Sequence, residues 1–591
     1  MMRHANAAAL PHALALALLL LPLPLAAQDA APAERPAEAP RSLLPDLFDD
    51  PPARPGGPPQ MPVPIVPDGP APALPLPPVA ALPPIPRAQE IEIVDPLADL
   101  GGPEGQPETA GLLGPGAMGY PPDLFAQSDA RFVGTLLRGI EAPLASRWAQ
   151  VMVQRALLSR TSPPPGLDPA DWLAARAQAL AAMGSATDAH RMVMRMALDR
   201  YTPRLYAVAG HVALAAGDPV ALCPIAGTAR ALTRLPVWAL AQGMCGAISG
   251  DDFAASMRLD AMRDRQAVNP FDVGLAERIG ASAGGARRAA NPEWDEADGL
   301  TAWRIGLASA AGLSIPDDKA NAATLAQKAW MVRLPGQALA RRAAFAPEVA
   351  ATGVISAAEL QRILAAEAAT LDQGAVSRSA GGLLRTAMAA ERTADRLAAM
   401  RTLWGRARPG TRAHYGWKVA TTTAAAGIAP SADLNDDAPD LVESLLAGGR
   451  VAEARRWATP VASASETQRA RVHVLLLAAD RAQQANEDLV RAFARESSPH
   501  RAALMQAGLE GLGRLPASTA VAPLDNPWTR ALDRARGGRR LGEVMLLAAT
   551  AMQAGWANVP PDHLRRIAAA LSELGHGAEA GLIVAEAAMR G

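Results

Sequence analysis

The sequence is poor in the side chains on which most catalytic and metal sites depend. Only three of its 57 basic residues are lysines, Lys319, Lys328 and Lys418, which leaves little room for Schiff-base or Ser-Lys chemistry. The nine histidines are scattered, without an H-E-x-x-H motif or a pair at i and i+4. P-loop and G-x-G-x-x-G motifs are also missing. We therefore predict a protein that is not an enzyme and holds neither cofactor nor metal.

Aromatic residues are scarce as well, at 4% of the chain, and runs of β-branched residues are short, which argues against strands. The abundant Ala, Leu and Arg are strong helix formers. Phe132, Leu136, Leu137 and Ile140 follow the spacing i, i+4, i+5, i+8 that places them on one face of an amphipathic helix. The sequence therefore predicts an all-α body.

The first 27 residues have the layout of a secretory signal peptide. Two basic residues precede an apolar run from Ala7 to Leu21, and small residues precede a plausible cleavage position after Ala27. The alternative is an uncleaved membrane anchor, but the unbroken apolar core is shorter than the roughly 20 residues that span a bilayer. The scarcity of lysine beside so much Ala and Pro is typical of a GC-rich bacterial genome. We predict export to the periplasm of a Gram-negative cell, without a membrane span after cleavage.

Residues 28–122 form an acidic, Pro-rich segment. Between Asp29 and Pro122 it holds 26 of the 53 prolines, with 13 acidic residues and four arginines, a net charge of −9. Proline fixes φ and lacks a backbone donor, so we predict an extended and disordered tether. The remaining residues 123–591 carry +7, which is too dilute to indicate nucleic-acid binding.

One tetrapeptide of the tether recurs. Pro45 is followed by Asp46, Leu47 and Phe48, and the same four residues return at 122–125. An acidic and apolar patch of this kind suits binding in a partner's groove, and the alternating segment 91–94 suits addition to a sheet edge. The alternative is that both are chance apolar clusters in a linker rich in Pro, Ala and Leu.

Glycine marks repeated joints in the body. Gly184, Gly217 and Gly250 are spaced by 33 residues, and each follows an apolar helix end and precedes Asp or Ser. Gly suits the left-handed position that closes a helix, and Asp can cap the next one. We therefore predict helical hairpins in 123–285, an irregular helical middle in 286–430 and further hairpins in 431–591, where similar joints contain Gly448, Gly449, Gly575 and Gly577.

In this period, and in the small residues after each turn, the chain resembles tetratricopeptide-like α-solenoids. Those small residues are Ala189, Ala221, Ala254, Ala454 and Ala580. The aromatic positions of the full signature are missing, so the resemblance is to a degenerate array. It implies a concave surface that binds proteins or polymers, and hence a scaffold or assembly factor for envelope proteins. The chain also resembles exported helical proteins of alphaproteobacteria, which implies no activity.

Cys223 and Cys245 are the only cysteines. Each lies eleven residues from Arg234, near the predicted break between two antiparallel helices, so the two should face each other. In an oxidising compartment such a pair favours a disulfide, which would stabilise the fold by about 3 kcal/mol. A metal pair or redox pair fits less well because there is no C-x-x-C motif and no neighbouring His cluster.

Two segments imitate catalytic motifs. Residues 280–284 match the G-x-S-x-G nucleophile elbow around Ser282, but the preceding residues are typical of a helix rather than of the required strand. The segment that begins with Glu496 is similar in order to soluble lytic transglycosylases, whose glutamate is the general acid. The interval to Met505 is about half of that family's, Ala503 replaces a glycine, and nearby arginines favour the carboxylate over the acid. We keep a cell-wall-binding or lytic-transglycosylase-derived protein, with peptidoglycan as partner, as the alternative function.

The densest aromatic cluster contains Trp404, Tyr415 and Trp417, flanked by Arg408 and Arg412. Aromatic rings beside arginines suit a groove for a glycan or an acidic peptide. The alternative, which the sequence favours, is that these rings pack a helix junction at a Pro-Gly turn.

Overall fold

The computed structural model of the protein describes residues 110–266, 268–284, 291–553 and 555–591. Within these ranges it contains 27 α-helices and short 3-10 turns but no β-strand, and one isolated bridge joins Leu113 and Ser159. The all-α prediction is confirmed. The predicted signal peptide, residues 28–109, the motif residues Asp46, Leu47 and Phe48, and the segment 91–94 lie outside the described residues.

Residues 110–122, assigned above to the tether, pack on the helical body. The amides of Leu112 and Leu113 donate to the carbonyl oxygen of Leu158, at 2.8 and 3.0 Å. The buried guanidinium of Arg176 donates to the carbonyl oxygen of Ala110. The helical body and this strap, residues 110–128, therefore form one packed unit.

The first helices form hairpins, and the three predicted glycine joints lie between them. Gly184, Gly217 and Gly250 have φ values of 95°, 74° and 85°, the left-handed region that favours glycine after a helix end. The helices are α1 (Ala130–Arg138), α2 (Arg147–Leu158), α3 (Pro169–Ala182), α4 (Ala186–Val193), α5 (Pro203–Ala215), α6 (Ala226–Thr233), α7 (Pro236–Ile248), α8 (Asp252–Asp264) and α9 (Pro270–Gly284).

Short polar residues begin many of these helices. The side chain of Asp129 accepts a hydrogen bond from the amide of Phe132, and Thr202 and Asp251 cap α5 and α8 in the same way. Such caps satisfy amides that have no partner within the helix. The joint at Gly184 differs, because Ser185 makes no cap and instead accepts from Gln154 of α2 at 2.8 Å.

The middle of the chain is also helical. Gly416 lets α18 approach the carbonyl oxygen of Pro347 inside α13, where any Cβ would clash. The helices are α10 (Ala302–Ala310), α11 (Asp317–Ala322), α12 (Leu325–Arg333), α13 (Leu339–Ala350), α14 (Ala357–Ala368), α15 (Gln373–Val376), α16 (Ala380–Ala389), α17 (Thr393–Trp404) and α18 (Arg412–Ala426).

The C-terminal part repeats the hairpin pattern. Gly449 and Gly575 each follow a helix end and have φ values of 77° and 92°, as the sequence predicts for the two later joints. The helices are α19 (Ala438–Ala447), α20 (Val451–Arg455), α21 (Glu466–Ala479), α22 (Glu487–Glu496), α23 (Pro499–Gly511), α24 (Pro527–Gly537), α25 (Leu541–Ala551), α26 (Pro561–Glu573) and α27 (Gly577–Arg590).

Helix α2 joins parts of the chain that are far apart in sequence. It packs against α3 and α4 and also against α25 and α27, so the two ends of the body meet. Trp148 lies against Gly449, and Val151 lies against Gly353, where a Cβ would approach each side chain to 2.7 Å. In a linear solenoid each repeat contacts only its neighbours. This body departs from that scheme because its helices close around α2.

Candidate functional site

The start of α2 is held by a carboxylate from the other end of the chain. The hydroxyl of Ser146 donates to Glu586 at 2.7 Å, and the backbone amide of Arg147 donates to it at 3.1 Å. Glu586 is fully buried in α27. A carboxylate at a helix N-terminus satisfies free amides and interacts favourably with the helix dipole. Glu586 thus acts as a long-range cap of α2.

Cations complete this cluster. Arg590 pairs with Glu586 and donates to the carbonyl oxygen of Ala145 at 2.9 Å, and its guanidinium lies 4.9 Å from the ring centre of Tyr415. Burial lowers the pKa of Arg147 and raises the pKa of Tyr415 well above 10. These groups are committed to protein partners, so the cluster joins helices rather than presenting a free charge.

A cleft of about 380 Å³ opens beside the cluster, at the lower end of the size of ligand pockets. Gln553 crosses it, accepting from the amides of Glu141 and Ala142 at 2.7 and 3.1 Å. Arg412 reaches past it to the carbonyl oxygen of Leu144 at 3.1 Å, and burial lowers its pKa to about 10. The lining is Glu141, Ala142, Pro143, Thr324, Leu325, Ala326, Arg412, Gln553 and Gly555. Its charged residues, one acid and one base, suit a small polar group rather than a strongly charged ligand.

Lys418, one of the three lysines, is buried within a second charged network. Its Nζ lies 2.6 Å from Asp440, 3.4 Å from Glu443 and 4.0 Å from the ring centre of Trp404. Burial tends to raise the pKa of Glu443, but Lys418 and Arg471 outweigh burial and lower it to about 2. Lys418 is buried and paired with two carboxylates, so its amine is not presented to a substrate as a nucleophilic lysine must be.

The rings of the predicted aromatic cluster are buried in two networks, Trp404 against Lys418 and Tyr415 against Arg590. Trp404, Tyr415 and Trp417 are at most 8% exposed, and the indole N–H of Trp404 donates to Thr421 at 2.9 Å. Of the flanking arginines, Arg408 is exposed, whereas Arg412 belongs to the cleft described above. The rings do not line an open groove, and their geometry agrees with the packing alternative.

Neither imitation of a catalytic motif has the geometry of a catalytic site. Ser282 lies near the end of α9 and donates to the carbonyl oxygen of Arg278 at 2.8 Å, so no strand precedes it in a nucleophile elbow. Glu496 is the exposed last residue of α22. Two of the arginines expected beside it pair instead with other acids, Arg491 with Asp488 and Arg495 with Glu466.

The two cysteines are paired, with their Cα atoms 5.4 Å apart, as their spacing around Arg234 predicts. Arg234 itself has a φ of 57° and forms the break between α6 and α7. Cys223 lies just after a 3-10 turn rather than in a long helix, and Cys245 lies in α7. The disulfide therefore ties the turn after α5 to α7.

Exposed apolar side chains are concentrated on the hairpins near this disulfide. Phe253 is 81% exposed and Met257 is 59% exposed, one helical turn apart on α8, which buries its opposite face through Ala255 and Leu259. Four more large apolar residues nearby along the chain are exposed, Met194, Leu198, Val220 and Leu232, and the only other one among the described residues is Met118. The adjacent pair on α8, Phe253 and Met257, is a candidate protein-binding surface.

The described residues contain no group of three His, Cys, Asp or Glu side chains arranged to hold a metal ion. Among the described helices, none combines the length and apolar character needed to cross a membrane. No protein-family model matches the chain, and comparison with curated proteins and with solved structures gives no match. The contacts of the chain itself therefore carry the functional argument.

Proposed function

We propose that this is an exported, periplasmic helical-repeat scaffold that binds an envelope protein through the outer face of α8. The observation that carries the proposal is the exposure of Phe253 and Met257 on one face of α8. Desolvating two such side chains in a partner's apolar groove is worth about 1.5–3 kcal/mol each. The flexible Met side chain also adapts to irregular partner surfaces.

The surroundings of α8 support the proposal. This helix packs on α7 and α9, and α7 is fixed by the disulfide at Cys245. A binding face on a rigid hairpin loses less entropy when it is occupied than a flexible one does. A disulfide is also compatible with an oxidising compartment outside the cytoplasm. The tetratricopeptide-like resemblance adds the expectation that the partner is a protein.

The test places a photo-crosslinking residue at position 253 in the full-length protein in cells. Met118 is the matched control, because it is 70% exposed and apolar but lies outside the α4–α8 hairpins. We expect a discrete crosslinked envelope protein from position 253 and none from position 118. Recovery of that partner by affinity pull-down without a crosslinking residue should fall at least tenfold in a Phe253→Asp, Met257→Asp double variant relative to the parent. Equal crosslinking from both positions would contradict the proposal.

Two controls sharpen this experiment. The double variant should keep the circular-dichroism melting profile of the parent, because exposed substitutions change stability by only about 0.5 kcal/mol. The cell-wall alternative predicts instead that the purified protein sediments with peptidoglycan and that this binding survives the double substitution. Loss of sedimentation on Glu496→Gln would favour the transglycosylase-derived version of that alternative.

A further inference from the structure

The strap carries an aromatic anchor that sits in a closely fitted seat. Phe125 is fully buried, and its ring centre lies 5.0 Å from that of Trp172 of α3 in an edge-to-face arrangement. On the other side lies Gly542 of α25, where a Cβ would stand 2.5 and 2.7 Å from two ring carbons. The seat therefore depends on the missing side chain at Gly542, at the junction between the two ends of the body.

The residues before Phe125 present the ring by means of a tight turn. The amide of Ala126 donates to the carbonyl oxygen of Asp123 at 2.9 Å, and the amide of Ser162 donates to that of Pro122 at 2.8 Å. The side chains of Pro122 and Asp123 are exposed. Pro and Asp favour such turns. The body thus contacts the ring of Phe125, the carbonyl oxygen of Pro122 and the partly buried Leu124, whose carbonyl oxygen lies beside Gly542.

The same four residues, Pro-Asp-Leu-Phe, occur at positions 45–48. When the two copies are aligned, Leu43 falls at the position of Tyr120, which is buried in the strap. The residues after the copies differ, because Asp129 caps α1 whereas Pro52 stands at the equivalent position. The first copy therefore has the residues that fill the seat and lacks the one that starts α1.

We propose that the seat formed by Trp172 and Gly542 is a binding site for the Pro-Asp-Leu-Phe turn, and that residues 45–48 of the same chain occupy it when Phe125 leaves. Roughly 60 residues separate Phe48 from Ala110, and a Pro-rich chain extends by about 3.1 Å per residue, so the first copy is tethered by a linker long enough to return to the seat. Attachment to the same molecule gives an effective concentration near the millimolar range, which favours this copy over one on another molecule.

In the intact protein the second copy holds the seat, because the strap has many further contacts with the body. The amide of Tyr120 donates to Ser159 at 2.8 Å, and Arg155 donates to the carbonyl oxygen of Met118 at 2.8 Å. Removing only the Phe125 ring should leave those contacts in place and vacate the seat. A Phe125→Ala variant therefore tests whether the seat binds the first copy of the motif when the second copy no longer competes for it.

The experiment places 4-fluorophenylalanine at position 48 of the full mature chain and records its ¹⁹F resonance. With Phe125 present we expect a solvent-like signal. In Phe125→Ala at least half of the intensity should move to a second resonance, shifted by the ring current of Trp172. Adding Gly542→Ala should abolish the shift because its Cβ fills the seat. A signal at position 48 that stays solvent-like in Phe125→Ala overturns the proposal.

Dilution identifies the occupant. An unchanged shifted fraction over a hundredfold dilution supports binding within one molecule, whereas a falling fraction shows a second copy and overturns the same-chain assignment. If Phe125→Ala fails to fold by circular dichroism, Phe125→Leu leaves an underfilled seat in a folded chain. A fluorescein-labelled peptide of residues 41–52 should then bind a Phe125→Leu, Phe48→Ala chain, whose own first copy cannot compete, at least tenfold more tightly than the same peptide with Phe48→Ala does. Equal binding of the two peptides overturns the proposal.

Discussion

Replacing Glu586 by alanine tests whether one carboxylate holds the body closed around α2. Glu586 accepts from Ser146 and from the amide of Arg147, and it pairs with Arg590. The substitution leaves the guanidinium of Arg590 buried without its acid, which costs about 3–5 kcal/mol. Loss of the cap alone would cost about 1 kcal/mol, but both effects belong to the same group and do not simply add. We expect a total near 3–5 kcal/mol.

The assay is amide hydrogen exchange read by mass spectrometry, which resolves local opening. Since 1.4 kcal/mol corresponds to a factor of ten, a loss of about 3–5 kcal/mol should make amides of α2 and α27 exchange roughly 10² to 4 × 10³ times faster in Glu586→Ala. Amides of α7, whose helix is tied by the disulfide, should be unaffected. Glu586→Gln keeps the size and one acceptor, so its effect should be smaller than that of alanine.

Glu573→Ala is the matched control for this experiment. Glu573 also pairs with an arginine, Arg536, but their side chains are 53% and 37% exposed. Exposed pairs of this kind contribute about 0–1 kcal/mol. If Glu586→Ala and Glu573→Ala change the exchange of their own helices equally, the assignment of Glu586 as the long-range cap is wrong.

Three other substitutions test separate features of the fold. Gly449→Ala should destabilise the protein by about 2–4 kcal/mol in urea unfolding, because of left-handed strain and the clash of the new Cβ with Trp148. Gly513→Ala, which has a φ of 68° and lies in open space, should cost only about 1 kcal/mol. Equal costs for the two variants would show that the clash with Trp148 contributes nothing. A Cys223→Ala, Cys245→Ala double variant should lose about 3 kcal/mol of unfolding free energy. The expectation would be contradicted if the parent protein were equally stable with its disulfide reduced and oxidised. Burial lowers the pKa of His211 to about 4, below the 6.5 of the unfolded chain, so stability should fall as the pH drops from 6.5 to 4. His211→Leu should flatten that part of the profile of urea midpoint against pH, and an unchanged slope would exclude His211 as its source.

Local features of the body could be predicted from the sequence because they depend on nearby residues. The joints at Gly184, Gly217 and Gly250 follow from a conformation that only glycine adopts cheaply, and their period follows from the length of a hairpin. The pairing of Cys223 with Cys245 follows from their symmetry about one helix break. In each case the chemistry and its geometric consequence lie within about 35 residues of chain.

The closure around α2 could not be predicted in this way. Gln150 and Gln154 would be assigned to an exposed face from their polarity, yet both are buried. Gln150 donates to the carbonyl oxygen of Met183 at 2.9 Å, and Gln154 donates to Ser185 at 2.8 Å. A buried amide is tolerated only where such partners are available. The availability of these partners depends on the position of α4, and the residue pattern of α2 does not predict that position.

The same reasoning explains why the candidate binding surface was missed. The sequence allowed a binding groove at Trp404 and Trp417 but favoured packing, and both rings are buried, with Trp404 against Lys418 of the charged network between α18 and α19. The sequence analysis did not single out Phe253, which is exposed because α8 packs mainly on α7 and α9. The closure joins α2 to α3, α4, α25 and α27, and α8 is not among these helices. The exposure of an apolar residue in such a fold therefore depends on which helices pack around it. The outer face of α8, which no neighbouring helix covers at Phe253 and Met257, is where a partner can bury apolar surface.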